Sequence, residues 1–207
     1  MDDILFEGVG LYRTEIPFMM RSTFPDVTVQ TGFYQDVVDK AKGAPISFRT
    51  LDIGGDKAVP YMWRIQDENP VLGWRAIRVA LDKPAILRQQ VRALIRATAG
   101  QELRLLFPMI SDITEYHHAR HHVEQEWARA EQTQETLPSS LSYGVMVEVP
   151  SIVDQLDALL SQVDFISLGT NESFDKQSGE QYYEHLDKMI VSKKKKNPQT
   201  AVLVMTS

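Results

Sequence analysis

The chain has 207 residues, 43% of them hydrophobic and 24% charged, with 11 Gly, 10 Pro and no cysteine. Such a balance supports a sizeable buried core in one large domain or two small ones and excludes an intrinsically disordered chain. A formal charge of −6 argues against a general nucleic-acid binder, and zero cysteine removes disulfide scaffolds, zinc ribbons, iron–sulfur clusters and thiol chemistry.

Short apolar segments alternate with longer helical ones. The first strand is expected at Gly8–Tyr12, followed by helical spacing through Val29, Phe33, Val37, Val38 and Ala41, with Gly43 as its C-cap. A second strand is expected from Pro45 to Phe48. After a Gly/Pro-rich stretch, Asp82-Lys83-Pro84 reads as a cap and an early helical proline, and Leu87, Val91, Leu94, Ile95 and Thr98 continue one helix face. Leu103–Phe107 is the third strand. Asp112 and Glu115 read as a capping box opening a helix to about Ala130. Tyr143–Val147 is the fourth strand, Ser151 caps the next helix, and Val163–Leu168 is the fifth strand. Strands separated by helices, with few tight-hairpin signals, predict βα units and a parallel sheet. No apolar run approaches membrane-spanning length, and Met1-Asp2-Asp3 has the wrong charge for a secretory leader, so a soluble cytoplasmic protein is expected.

Polar residues recur where these strands end. Arg13, Arg49, Glu148 and Asn171 each follow closely after a strand's last apolar residue. In β/α folds the C-terminal strand ends converge on one rim, where ligands bind. Two guanidiniums and a carboxylate on one rim suggest an anionic ligand with a metal, because the planar fork of Arg bonds phosphate or carboxylate at two points.

Several longer segments stand out: Gly8-Val-Gly-Leu-Tyr-Arg-Thr-Glu15, Arg49-Thr-Leu-Asp-Ile-Gly-Gly-Asp-Lys57 and Asn69-Pro-Val-Leu-Gly-Trp-Arg-Ala-Ile-Arg78. Further on come Phe107-Pro-Met109, Gly144-Val-Met-Val-Glu-Val-Pro150 and Asp164-Phe-Ile-Ser-Leu-Gly-Thr-Asn171. In this order they resemble the phosphoenolpyruvate-binding barrel of phosphoenolpyruvate-protein phosphotransferases, enzyme I of the sugar phosphotransferase system and its nitrogen-related paralogue. Ile16-Pro-Phe-Met19 looks closer to the nitrogen-related branch.

The resemblance implies an α/β fold, a partial TIM-type (β/α)8 barrel with strands two to six recognisable. It implies an incomplete barrel domain over 1–172 and a divergent tail over 173–207. Arg13 and Arg49 match arginines that grip the substrate's phosphate and carboxylate, and Arg75 matches a further phosphate contact. Glu148 matches a magnesium ligand, and Asn171 a residue contacting the substrate beside the metal. The expected cofactor is Mg2+, with Glu172 as second ligand. The implied partners are phosphoenolpyruvate, a phosphocarrier protein reached through a swivelling histidine domain, and a second copy of the chain.

Departures from the family pattern bear on activity. Glu172 stands where Asp is expected after Asn171, and none of the 5 His lies in a segment like the family's phosphoryl-acceptor motif. The resemblance stops after Glu172, so the cysteine that protonates the enolate in the family is missing. The tail carries a lysine run at 193–196, read as a solvated segment, and Ala201–Met205 as one possible strand. Truncation, a frame change or fusion near codon 172 is the expected origin of this tail. The leading expectation is a phosphoenolpyruvate-binding domain unable to turn over alone. The competing one is a degenerate, non-catalytic relative that associates with an intact family member.

Two other features are weaker. His117, His118, His121 and His122 give i, i+4 pairs able to hold zinc or nickel, but they read as an exposed polar helix face. Asp52-Ile-Gly-Gly-Asp56-Lys57 lacks dinucleotide and P-loop spacing, and draws weight only from following Arg49.

Overall fold

A computed structural model describes residues 7–54 and 75–168, together with the backbone of 201–204. The strands are β1 (Val9–Arg13), β2 (Ile46–Arg49), β3 (Glu102–Phe107), β4 (Ser140–Val147), β5 (Phe165–Leu168) and β6 (Ala201–Val204). They form one six-stranded sheet in chain order, and every neighbouring pair is parallel. Sequential parallel order with intervening helices is the course of a β/α barrel. The expected partial barrel is therefore present, and the tail adds a sixth strand in register with β5, from Phe165↔Ala201 to Leu168↔Val204.

The helices are α1 (Ile16–Met19), α2 (Val27–Ala41), α3 (Ile77–Asp82), α4 (Pro84–Ala97), α5 (Ile113–Gln132) and α6 (Leu156–Leu160), with a 3-10 turn at Pro150–Gln155 before α6. Helix α2 starts on Asp26, whose side chain accepts from the Val29 N–H, so one of the orphan donors of the first turn is satisfied. Asp112 opens α5 in the same way, accepting from Thr114 N–H at 2.7 Å.

Local details depart from the sequence reading. The left-handed turn that ends α2 begins at Lys42 (φ 50°) before continuing through Gly43 (φ 86°). Asp82 does not cap α4. It is the last residue of the short α3, and α4 follows Lys83 without a side-chain cap. Glu115 accepts from Ser111, through both N–H and hydroxyl, rather than closing a box on Asp112. Ser151 sits inside the 3-10 turn and donates to the Ser111 carbonyl at 2.9 Å, so it ties two loops together instead of capping a helix.

Period-2 alternation sorts the strand residues into two layers. Phe48, Leu105, Phe107, Val145, Val147, Ile166 and Leu168 face the helices, where they pack with residues such as Tyr34, Leu87, Val91, Tyr116 and Val123. Leu106, Met146 and Phe165 form a separate cluster with Leu11 on the opposite face. Gly144 lies on that same face, where a Cβ would meet the Phe165 ring at 2.3 Å, so only glycine admits the ring there. Continuing the alternation, Arg49 at the end of β2 and Glu148 just after β4 belong to this inner face.

Candidate functional site

The C-terminal strand ends assemble the site. Arg13 closes β1 and is paired in register with Arg49, which closes β2. Arg13 is exposed, whereas Arg49 is 4% exposed and Glu148 6%. Arg75 returns to the same place by backbone pairing: it forms an antiparallel bridge with Gly54, and Ala76 N–H donates to the Ile53 carbonyl at 2.9 Å. Asn171 and Glu172 lie outside the described residues, as do Asp56, Lys57 and the lysine run.

The arginines are not isolated cations. Arg49 pairs with Glu15 through a terminal guanidinium nitrogen, and the same nitrogen lies 3.3 Å from Asp52 Oδ2. Arg75 donates to both Asp52 oxygens, from Nε at 2.8 Å and from a terminal nitrogen at 3.0 Å. One carboxylate therefore bridges two arginines, all of them buried. This fixes the guanidiniums before any ligand arrives, which lowers the ordering cost of binding. Asp52 and Glu15 sit inside recognised motifs, yet their pairing with Arg49 follows from the fold and not from spacing alone.

Glu148 is a further buried carboxylate at this rim. Its Oε1 accepts the Met109 N–H at 2.8 Å. Burial pushes its pKa above the usual carboxylate range, with the charge of Asp52 adding to the shift, while the Met109 N–H, Arg49 and Arg75 act against it. The described buried set holds the guanidiniums of Arg49 and Arg75 against the carboxylates of Glu15, Asp52 and Glu148. Even with Arg13 included, the charges only balance. A hard divalent cation on Glu148 fits this set, because it supplies the positive charge that an added anion would need. No group of three His, Asp or Glu able to hold a metal occurs among the described residues. Glu148 offers the kind of hard oxygen donor that such a cation takes.

Backbone strain collects at the same rim. Ala76 (φ 53°) and Met109 (φ 58°) adopt positive φ without being glycine, and both pack with Val149 in one small buried cluster. These are the neighbours of Arg75 and Glu148 and the donor to Glu148. Strained backbone persists where surrounding contacts over-determine it, as at ligand sites.

On α5, His117, His118 and His121 are exposed. His117 Nε2 contacts Gln162 Oε1 at 2.7 Å, His121 Nε2 contacts Gln125 Nε2 at 3.0 Å, and His122 Nδ1 contacts Gln125 Oε1 at 3.3 Å.

Comparison with known proteins agrees with the geometry. Residues 2–175 match the family model described as PEP-utilising enzyme, PEP-binding domain. The chain is 45% identical over 167 residues to proteins named phosphoenolpyruvate-dependent phosphotransferase system from Salmonella typhimurium and Escherichia coli. It is 42% identical over 166 residues to the phosphoenolpyruvate-protein phosphotransferase of Staphylococcus carnosus. Each alignment takes in 80% of this chain but only 22% of the Salmonella and Escherichia relatives and 29% of the Staphylococcus one. No described helix is long and apolar enough to cross a membrane.

Proposed function

Since the chain belongs to the PEP-binding domain family of PEP-utilising enzymes, we propose that it binds phosphoenolpyruvate at the rim built from Arg13, Arg49, Arg75 and Glu148, in service of phosphoryl transfer to a protein histidine. The observation that carries this reading is the convergence of Arg49 and Arg75 on the single carboxylate of Asp52, beside the buried Glu148.

In this reading Arg13 and Arg49 take the phosphate and carboxylate of the ligand, Arg75 adds a phosphate contact, and Asn171 completes the set. Glu148, with Glu172, holds magnesium, whose charge supports the phosphoryl oxygens when it is bound. Asp52 and Glu15 keep the guanidiniums aimed, so ligand oxygens meet donors that are already ordered. The burial of Arg49, Arg75 and Glu148 keeps the local dielectric low, which strengthens each of these contacts.

We read it as a binding domain that serves phosphoryl transfer to a histidine on a swivelling domain, which feeds a phosphocarrier protein. A cytoplasmic location and a homodimer belong to the same proposal. Association is supported by Ile16, Met19 and Met20 of the α1 segment, exposed by 53%, 47% and 84% beside the rim.

Titration calorimetry with phosphoenolpyruvate, with and without magnesium, tests the proposal. Saturable binding that strengthens with magnesium is expected. Absence of heat under both conditions overturns it, and absence of heat together with a stable dimer favours the associating, non-catalytic relative.

A further inference from the structure

Gln90 lies in the middle of α4 with no exposed surface. A buried amide is stable only when its oxygen and its N–H groups find partners. Gln90 Oε1 accepts the Leu51 N–H at 2.9 Å, and Nε2 donates to Thr14 Oγ1 at 2.9 Å and to the Tyr34 hydroxyl at 3.2 Å. The orientation of the amide is set by chemistry, since the Leu51 N–H can only donate and so requires the oxygen. Thr14, also without exposed surface, passes the chain of bonds on by donating to the Arg49 carbonyl at 2.7 Å.

The tied atoms are the backbone neighbours of the rim set. Thr14 lies between Arg13 and Glu15, Leu51 directly precedes Asp52, and the carbonyl that Thr14 holds is that of Arg49 itself. One side chain on an outer helix thus joins the loop after β1 to the loop after β2. Leu51 lies beyond the last ladder bond of this loop, from the Thr50 N–H to the Leu106 carbonyl at 2.9 Å, and Thr14 follows the last paired residue of β1, so register no longer holds either residue. Leu87, Val91 and Leu94, on the same helix stripe, are apolar and fully packed. An apolar residue at position 90 would continue that stripe but would leave the Leu51 N–H and the Thr14 hydroxyl without this partner.

We propose that Gln90 is a positioning residue for the anion site, fixing Arg13, Arg49 and Asp52 relative to one another through Thr14 and Leu51. This inference rests on the reading of the rim as the phosphoenolpyruvate site. Gln90 does not touch the ligand. It sets the separation of the groups that do.

The test is phosphoenolpyruvate titration, with magnesium, of the full chain and four variants, each also melted thermally. Thr14→Val and Gln90→Met remove the link with little change of volume, Thr14→Ser keeps the hydroxyl, and Val123→Ala opens a cavity on α5 away from the network. Thr14→Val and Gln90→Met are expected to weaken binding about tenfold, Thr14→Ser to restore it to within about twofold, and Val123→Ala to lower the melting temperature with affinity unchanged. If Thr14→Val binds as tightly as the unaltered chain, the inference is wrong. It is equally wrong if affinity in Val123→Ala falls in step with its stability, because the network would then be ordinary core. If the unaltered chain itself binds nothing, the functional reading fails and the inference falls with it.

Discussion

Arg75 donates to both oxygens of Asp52, at 2.8 and 3.0 Å, and Asp52 is at the same time 3.3 Å from Arg49. The carboxylate is 2% exposed and the Arg75 side chain 10%, so the pair is held in low dielectric with little water to replace either partner. Removing one member of such a pair leaves the other charge buried and uncompensated. Asp52→Asn, which preserves shape, is therefore expected to lower the free energy of urea unfolding by about 3 kcal/mol. A loss below about 1 kcal/mol would mean that solvent already screens the pair.

Glu148 predicts a trade between stability and binding. Its pKa is raised, so the ionised form is costly in the folded chain; that cost is absent well below pH 4.5 and grows as pH rises through the raised value. Glu148→Gln keeps an oxygen for the Met109 N–H and removes the charge. The expected result at neutral pH is a chain more stable by about 1 kcal/mol whose phosphoenolpyruvate binding no longer responds to magnesium. Denaturant unfolding and paired titrations check the two halves, and a destabilised variant would contradict the first.

The inner face depends on Gly144. A methyl group there would sit 2.3 to 2.7 Å from three carbons of the Phe165 ring, and that ring also carries the Arg104 guanidinium 4.7 Å from its centroid. The ring is 1% exposed, so it has little room to withdraw. Gly144→Ala is expected to cost about 1–3 kcal/mol, read as a lowered melting temperature.

On the outer face, α4 and α5 are joined by a carboxylate with no exposed side-chain surface. Glu126 accepts from Arg88 at 2.7 Å and from Arg92 and Arg129 at 2.9 Å, while Glu135 accepts from Arg96 and Arg129. Burial pushes the Glu126 pKa up, but bonds from Arg92, Arg88 and Arg129 outweigh it, and Arg96 and Arg129 hold Glu135 well below the carboxylate range. Both pKa values are depressed, so the stability these groups add is complete above the ordinary value of 4.5 and fades as pH falls below it. Asp112, bonded by Thr114 and Gln155 and lowered to about 2, fades over the lower part of that range. Acid titration of unfolding should show stability falling from about pH 5 downward, and Glu126→Gln should flatten the slope while lowering stability at neutral pH. An unchanged slope would contradict this account of the network.

Much of the architecture is legible in the sequence because short apolar runs mark β1 to β5, and the polar residues that end the runs fall on one rim. Arg13, Arg49 and Glu148 were readable for that reason. Gln90 was not, because a glutamine in a helix reads as solvent-facing. The signal was its place three residues after Leu87 and one before Val91, within the buried stripe. Glu126 reads the same way in the sequence, yet it is fully buried beneath Arg88 and Arg92 from α4 and Arg129 of its own helix. The short α1 and α3 carry too few residues for a period to register. Ser151 reads as a helix cap because its partner, the Ser111 carbonyl, is 40 residues away in the chain.

In the proposed reading the buried Arg49 at the end of β2 grips the anionic ligand. Titration of phosphoenolpyruvate with magnesium into Arg49→Met, beside the unaltered chain, tests it most directly, with circular dichroism confirming that the variant is folded. A loss of affinity of about a hundredfold or more is the result predicted for a charge-assisted, desolvated contact. Equal affinity in the folded variant and the unaltered chain would contradict it.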